Sequence, residues 1–584
     1  MVVLRRPATA ALFTVSLFLT THAQPAATLY TPAFAPCPPT FSLYRLAGPA
    51  SNQTLNPAEL SYVSSRKSTV LPGAWASYLS NVQAESLPLP AYVSSILNGT
   101  HGIDAYPTLG VAVSGGGWRA AIFGAGVLNA LDGRNASSVG ACTGGLLQGA
   151  TYLTGLSGGS WLVTSLMQAN FPTIQDLVYG QGEFGGWLPQ YNLAEPTEDL
   201  GYYEGLVADV LGKYEAGFPV TMGDIWARIL GRHFLNGTTE ANFYEYDVPH
   251  GAGMTLSGVA ETSKFASFKE PFPIVVADSR SDAGNRSNIV AGASIPLTNP
   301  IYEFTVYEMG SYDPILSAFT PARYLGTRND SICVTGFDQL GFVQATSSNI
   351  FSSYNTTNLT SILNLLDPSL DLNELEPGIE LDASVYPNPF YGLARDTYID
   401  SNQTYLSLVD GGFDNESIPF QPLLVKARGV EVILAVDGTA DVNGFAAGSS
   451  LIVSQNRTKL FPSAYSFPPV PSSVEDFIAE NLTTHPSFFG CNSSAPTPLI
   501  IYLPNGAPPP GQPAITNTSS GQLEYSLTEV QAMLDQTHAI ATMAGVDDDW
   551  PACLACAVVD RARERLGAAR EGICSTCMER YCWS

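Results

Sequence analysis

The sequence is poor in charge of either sign and poorest in positive charge. Of 584 residues only 13% are charged, and 26 Lys and Arg stand against 52 Asp and Glu, a formal net charge of −26. No basic run interrupts that balance, which excludes a polyanionic partner such as nucleic acid. The same field disfavours strongly anionic lipid surfaces and leaves neutral or zwitterionic ones easier to approach, although it also serves simply to keep an exported protein soluble. Past the first residues no stretch nears the ~20 apolar residues of a membrane span. There is no internal repeat of fixed period. With 45% apolar residues the chain is neither disordered nor of low complexity, and its length allows one large domain or two.

Histidine is also scarce: six in all, at positions 22, 101, 233, 250, 485 and 538. None sits at the end of a clear strand. His22 falls in an N-terminal export segment, His250 follows Asp247-Val-Pro in a loop pattern, and His538 lies in a helical one. The Ser-His-Asp arrangement is therefore not visible.

The beginning of the chain reads as a signal peptide over 1–23. Arg5 and Arg6 precede a mostly apolar stretch from Ala10 to Leu19, and Thr21-His22-Ala23 offers a small-residue cleavage site. Acceptors of the form Asn-X-Ser/Thr occur at Asn52, Asn98, Asn135, Asn236, Asn285, Asn329, Asn355, Asn358, Asn402, Asn415, Asn456, Asn481, Asn492 and Asn517. Together they predict a secreted, N-glycosylated protein, extracellular or in the cell wall. The final residues Tyr581-Cys-Trp-Ser584 lack the apolar tail of a lipid-anchor signal, so the protein is expected to be free after export.

Nine cysteines in an exported chain are expected to pair as disulfides, and the odd count leaves at least one thiol outside them or bridging two chains. Five lie in a tail expected over 546–584, after a main domain over 24–545. Cys553-Leu-Ala-Cys556 and Cys574-Ser-Thr-Cys577 have the spacing of a zinc ribbon, but the export segment favours disulfides over metal.

Two consecutive strand, glycine turn, helix units follow a polar segment, through about Leu97, that reads as a surface layer or lid. The first has a strand over Leu109–Val113, the turn Gly115-Gly-Gly117 and a helix over Ala120–Leu131. The second has a strand over Gly149–Leu153, the turn Gly155-Leu-Ser-Gly-Gly159 and a helix over Ser160–Gln168. Further strands are predicted at 272–277, 405–409 and 430–436. The implied fold class is α/β, with a mainly parallel central sheet flanked by helices. An aromatic-rich insertion is expected over about 182–268, with helices near 197–214. The region 486–512 reads as irregular surface apart from a possible strand at 499–503. Helical patterns near 526–544 and 552–566 lead to the tail, whose role is expected to be structural.

Gly155-Leu-Ser157-Gly-Gly159 fits the G-x-S-x-G elbow, in which a strained strand-to-helix turn lifts the serine hydroxyl out of the sheet. Ser114-Gly-Gly-Gly-Trp-Arg119 also joins a strand to a helix. It is either a tight turn or a loop whose backbone N–H groups serve as an oxyanion hole. Its spacing matches neither a dinucleotide fingerprint nor a Walker loop. Arg119 opens a helix, where a fixed positive charge is unfavourable. It is either a surface or ion-paired arginine or a two-point ligand for phosphate. Asp410 ends the apolar run Leu406-Ser-Leu-Val409 before Gly411-Gly412, at the carboxyl end of a strand, where open α/β sheets place active sites. A turn or calcium-binding aspartate is the alternative.

These three motifs, in this order and wide spacing, resemble the fungal lysophospholipase or phospholipase B family and the catalytic domain of the cytosolic phospholipases A. Pro273-Ile-Val-Val-Ala-Asp278, Ala318-Phe-Thr-Pro321, Tyr324-Leu-Gly326 and the tail from Trp550 to Trp583 add to the likeness. Trp118 and Met309 depart from the family's usual residues, which bears on pocket shape. The resemblance implies a patatin-like Ser-Asp dyad hydrolase of phospholipid and lysophospholipid esters, in transient contact with a lipid surface. Ser157 would be the nucleophile and Asp410 the base. Gly116 and Gly117 would form the oxyanion hole, Arg119 would hold the substrate phosphate, and no metal or cofactor is implied. A dyad esterase of phosphate-free lipid esters and a silent lipid-binding cell-wall glycoprotein are the rival expectations.

Overall fold

The computed structural model describes residues 25–84, 88–182, 184–197, 199–281, 292–353 and 379–583. The expected signal peptide and the acceptors Asn285, Asn355 and Asn358 lie outside them. Among the described residues no helix is long and apolar enough to cross a membrane.

The strands, in chain order, are β1 (Ala33–Pro36), β2 (Arg45–Leu46), β3 (Leu109–Val113), β4 (Tyr152–Gly155), β5 (Phe272–Ser279), β6 (Ile301–Thr305) and β7 (Glu308–Ser311). They continue with β8 (Ala318–Pro321), β9 (Ile332–Thr335), β10 (Ser384–Pro387), β11 (Tyr405–Asp410), β12 (Val432–Asp437), β13 (Ser487–Phe489) and β14 (Leu499–Pro504). β1 pairs with β9 alone. The others form one sheet in the order β13-β14-β12-β3-β4-β5-β6-β7-β8-β2, with β11 joined to β5 and β10 to β11.

From β14 through β12, β3 and β4 to β5 the pairing is parallel. Every residue of these five strands is buried, as apolar runs covered on both faces require. This block carries the expected parallel architecture, and antiparallel strands from β6 to β2 extend it into a mixed sheet. The helices Gly117–Leu131 and Gly158–Gln168 pack on each other, and Leu527–Thr542 packs on the first.

Three expectations are corrected. The segment before residue 97 is not a peripheral layer or lid. Its helix Pro57–Thr69 buries Glu59 and Arg66 completely. Arg66 donates to the carbonyls of Gln148, Ala150 and Phe268, and Glu59 pairs with Arg428 at 2.8 Å, so this helix fixes the chain entering β4 and β5. The strand expected at 149–153 begins later, because Gly149 ends a short helix against the Trp75 ring, and β4 runs instead to Gly155. In the Pro- and Gly-rich region 486–512 the strand expected at 499–503 is present as β14, and β13 adds a second buried strand where irregular surface was expected.

The tail pairs its cysteines as Cys553–Cys577 and Cys556–Cys574, while Cys582 reaches Cys491. The ribbon-like spacing thus serves disulfides that join the helices Trp550–Val558 and Ile573–Tyr581. Cys37–Cys333 fastens β1 to β9, and Cys142 is buried outside these bridges, its sulfur 3.9 Å from the Gly140 carbonyl.

Candidate active site

One edge of β5 brings the two motifs together. β6 occupies one side of β5 along 274–278, so β4 and β11 share the other. β4 runs parallel along it until Gly155 stands opposite Val275, and β11 comes from the opposite direction until Asp410 stands opposite Ala277. Two residues of β5, about 7 Å, separate the ends. Ser157 follows β4 by two residues. Asp410 therefore arrives on an antiparallel strand, and it is the meeting of two strand ends, not the carboxyl edge of a parallel sheet, that brings it to the serine.

The turn between β4 and the helix Gly158–Gln168 is strained as the elbow requires: Ser157 has φ +49° and ψ −127°. Space is equally tight. A Cβ on Gly158 would lie 2.1 Å from the Gly117 carbonyl oxygen, and one on Gly159 2.3 Å from that of Val113. The glycine loop after β3 and the elbow after β4 are thus packed backbone to backbone, which no other residue type allows. Two helix N-termini, at Gly117 and Gly158, converge here.

The Ser157 hydroxyl hydrogen-bonds the Asp410 carboxylate, whose Oδ1 also accepts the Gly412 N–H at 2.8 Å. Burial pushes the Asp410 carboxyl up to about 6, against the lowering effect of these two donors. Ser347 holds the pair in register: its carbonyl and hydroxyl oxygens lie 3.0 and 3.1 Å from the Ser157 nitrogen. The same carbonyl accepts from Gly411 at 3.2 Å. Asn349 O accepts the Asp410 N–H at 3.1 Å.

In the glycine loop, Gly115 donates to Ser417 O, while Gly116 and Gly117 take φ of +131° and +64°. Among the described residues no backbone acceptor takes the Gly116 N–H, and Gly117, in the first helical turn, has no intrahelical acceptor. Arg119 is buried. Its Nε donates to Gly438 O at 2.8 Å, Nη1 to Thr518 O at 2.6 Å and Nη2 to Ser520 Oγ at 3.0 Å. Burial pushes its pKa down, with Tyr525, Asp437 and Asp441 acting in the other direction, and among the described residues it has no ion-pair partner.

Ser157, Asp410, Gly116, Gly117 and Arg119 all line one cavity of about 450 Å³. Its apolar wall includes Trp161, Trp226, Leu193, Ile350 and Leu523. The two indole N–H groups converge on Ser348 Oγ at 2.9 and 3.1 Å, which fixes both rings. Trp118 lies behind Trp161, with ring centroids 5.9 Å apart. Among the described residues no histidine lines this cavity. His233 and His250 are buried elsewhere, bound to backbone carbonyls, and desolvation lowers them to about 4 and about 3.

Comparison with known proteins matches residues 109–584 to the lysophospholipase catalytic domain. The chain belongs to that family. It is 35% identical over 586 residues to a lysophospholipase of Penicillium chrysogenum, an alignment covering 95% of this chain and 90% of that one. It is 36% identical over 585 residues to lysophospholipase 3 of Aspergillus fumigatus, covering 95% and 88%. Among solved structures, human GIVD cytosolic phospholipase A2 shares the fold, with a TM-score of 0.57 at 18% identity over 90% of this chain and 67% of that one. The protein is therefore a hydrolase of the lysophospholipase family on an α/β fold of the cytosolic phospholipase kind.

Several residues that build the site gave no sequence signal. Ser347 and Ser348 end an ordinary helix, Leu340–Ser347, and Trp226 lies in the insertion, on the helix Met222–Phe234. The Thr518–Ser520 loop that holds Arg119 is remote in sequence and has no motif.

Proposed function

We propose that this lysophospholipase-family hydrolase cleaves fatty acyl esters of phospholipids and lysophospholipids through a Ser157–Asp410 dyad. One observation carries the reading: the hydroxyl of a serine on a strained turn, hydrogen-bonded to a buried carboxylate, shares a largely apolar cavity with a guanidinium that has no ion-pair partner among the described residues. Ser157 Oγ attacks the ester carbonyl carbon as its proton passes to Asp410. The Gly116 and Gly117 N–H groups stabilise the oxyanion, with help from two helix N-termini. Collapse breaks the bond to the glycerol oxygen, which takes the proton from Asp410 and leaves. Water, giving its proton to Asp410, then attacks the acyl-enzyme, and the serine recovers a proton as the fatty acid departs. Asp410 gives up its proton to the glycerol oxygen at the end of acylation and to Ser157 Oγ at the end of deacylation, so each half-reaction returns it to the carboxylate.

Arg119 donates to the substrate phosphate in this scheme, and the acyl chain lies along Trp161, Trp226 and Leu193. A buried guanidinium with no anion in direct contact is costly, and a phosphate would supply one. We assign residues 24–545 to the catalytic domain and 546–584 to a disulfide-bonded tail packed on it, with 1–23 as an export signal. Four disulfides support an oxidising destination. So does the absence of any buried asparagine among the described glycan acceptors.

The test is product analysis on diacyl and monoacyl phosphatidylcholine with wild type, Ser157→Ala and Asp410→Asn, alongside monoacylglycerol hydrolysis by Arg119→Ala. Both dyad variants should lose several orders of magnitude in turnover while remaining folded. Arg119→Ala should impair only the phosphate-bearing substrates; equal loss on monoacylglycerol would favour an esterase of phosphate-free lipids. Near-normal hydrolysis by Ser157→Ala would remove the nucleophile, and a wild type that no serine-directed phosphonate labels would leave a lipid-binding glycoprotein.

A further inference from the structure

The groups along the cavity wall follow an order. Gly115 adjoins the nucleophile: a Cβ there would lie 2.8 Å from Ser157 Cβ. Gly116 adjoins the guanidinium, with the same test point 2.6 Å from Arg119 Nη2. Arg119 Nε is bonded to Gly438 O, and three residues further along that loop the Asp441 carboxylate lines the same cavity. Base, nucleophile, oxyanion donors and cation thus adjoin in turn, and an anion lines the same cavity. A glycerophospholipid presents its ester carbonyl, glycerol, phosphate and, in zwitterionic head groups, an ammonium two methylenes beyond, in the same sequence.

Two carboxylates act by charge on Arg119, and their surroundings differ. Asp437 is fully buried, its oxygens taken by Tyr502 OH and the Thr439 N–H, and it does not line the cavity. Asp441 is half-buried and does line it. Its Oδ2 accepts from the Ala447 and Ser449 nitrogens and its Oδ1 from Ser449 Oγ. A carboxylate can take about four donors, so Oδ1 retains a lone pair. Among the described residues Asp441 has no ion-pair partner, and its charge acts on Arg119, with which it lines the cavity.

We propose that Asp441 is a specificity-determining residue, receiving the cationic end of a zwitterionic head group while Arg119 holds its phosphate. This rests on the phosphate reading of Arg119 given above. The arrangement discriminates in both directions: a head group ending in an ammonium gains a partner, and one ending in hydroxyls or a further anion meets an uncompensated carboxylate.

The test compares kcat/KM for monoacyl phosphatidylcholine and monoacyl phosphatidylglycerol of one chain length, with monoacylglycerol as the phosphate-free reference. Asp441→Asn should lower the choline-to-glycerol ratio by about tenfold and leave monoacylglycerol hydrolysis unchanged. Ser449→Ala removes a hydrogen bond from Asp441 but no charge, so it controls for loosening of the loop and should keep the wild-type ratio. The proposal is overturned if Asp441→Asn holds the ratio within about twofold, or if Ser449→Ala reproduces the shift. Arg119→Ala separates the two levels. If it spares both phospholipids relative to monoacylglycerol, the phosphate reading fails and the head-group role falls with it. If it impairs both while Asp441→Asn shifts nothing, only the role of Asp441 is lost.

Discussion

Ser347 clasps the backbone of Ser157: its carbonyl and hydroxyl oxygens stand 3.0 and 3.1 Å from the Ser157 nitrogen, and the hydroxyl itself donates to Val276 O at 2.6 Å. The elbow's positive φ is thereby tied to β5, the strand that also sets the position of Asp410. Replacing Ser347 by Ala removes the hydroxyl contacts and leaves the carbonyl ones. Turnover should fall about tenfold with KM little changed, because the residue positions the nucleophile without touching substrate. Steady-state kinetics on a monoacyl phospholipid check this, and a change confined to KM would assign Ser347 to binding instead.

The pH dependence should show one acidic limb. In the proposed mechanism Asp410 must be ionised to accept the serine proton, and burial sets its carboxyl at about 6. Below that value kcat/KM should fall about tenfold per pH unit, as expected for one required base. Asp410→Asn should abolish the limb along with most of the activity. A limb persisting in the residual activity of that variant would mean another group is the base.

Glu270 provides a stability prediction with a definite sign. Both of its carboxylate oxygens are buried without hydrogen-bond partners among the described residues, and desolvation pushes its pKa up to about 8, with Arg66 and Lys264 opposing. Because the folded value exceeds the unfolded one, near 4.5, its contribution is fully present below about pH 4.5 and is lost as pH rises through 8, at up to about 1.4 kcal/mol per unit. Glu270→Gln should match wild type at pH 4.5 and unfold at a higher temperature above pH 8. Thermal melts that stay parallel across that range would contradict the assignment.

The cysteine pairing predicts a selective response to reagents. Reductant should lower the melting temperature, since removing a native disulfide typically costs about 2–5 kcal/mol. A chelator should leave it unchanged, because Cys553, Cys556, Cys574 and Cys577 are all engaged in disulfides. Destabilisation by chelator alone would return the tail to a metal-binding role.

The parts of the site that were legible in the sequence are those whose chemistry is local. The elbow at Ser157 and the loop before Arg119 announce themselves because glycine is the residue type that fits backbone packed at 2.1 Å from a prospective Cβ. Asp410 could be found from its apolar strand, yet the direction of that strand could not, since β11 pairs with β5 and β10 by contacts that leave no mark on its own residues. Ser347 meets Ser157 across 190 positions, and an isolated serine at a helix end has no pattern to set it apart. Composition misled at β13, where Ser487–Phe489 is wholly buried in a region otherwise rich in Pro, Gly, Ser and Asn. It misled again at Arg66, a cation in a polar segment whose three carbonyl partners lie far along the chain.

The last described residues have a consequence for solution behaviour. Trp583 N donates to Phe488 O at 2.9 Å, and Cys582 forms a parallel bridge with Phe488 while bonded to Cys491. β13 is the terminal strand on that side of the sheet, and its outward backbone would otherwise be a template for stacking against another molecule. Cys582 and Trp583, laid along that rim, occupy the outer side of Phe488, so truncating the chain before Cys582 should appear first as association between molecules.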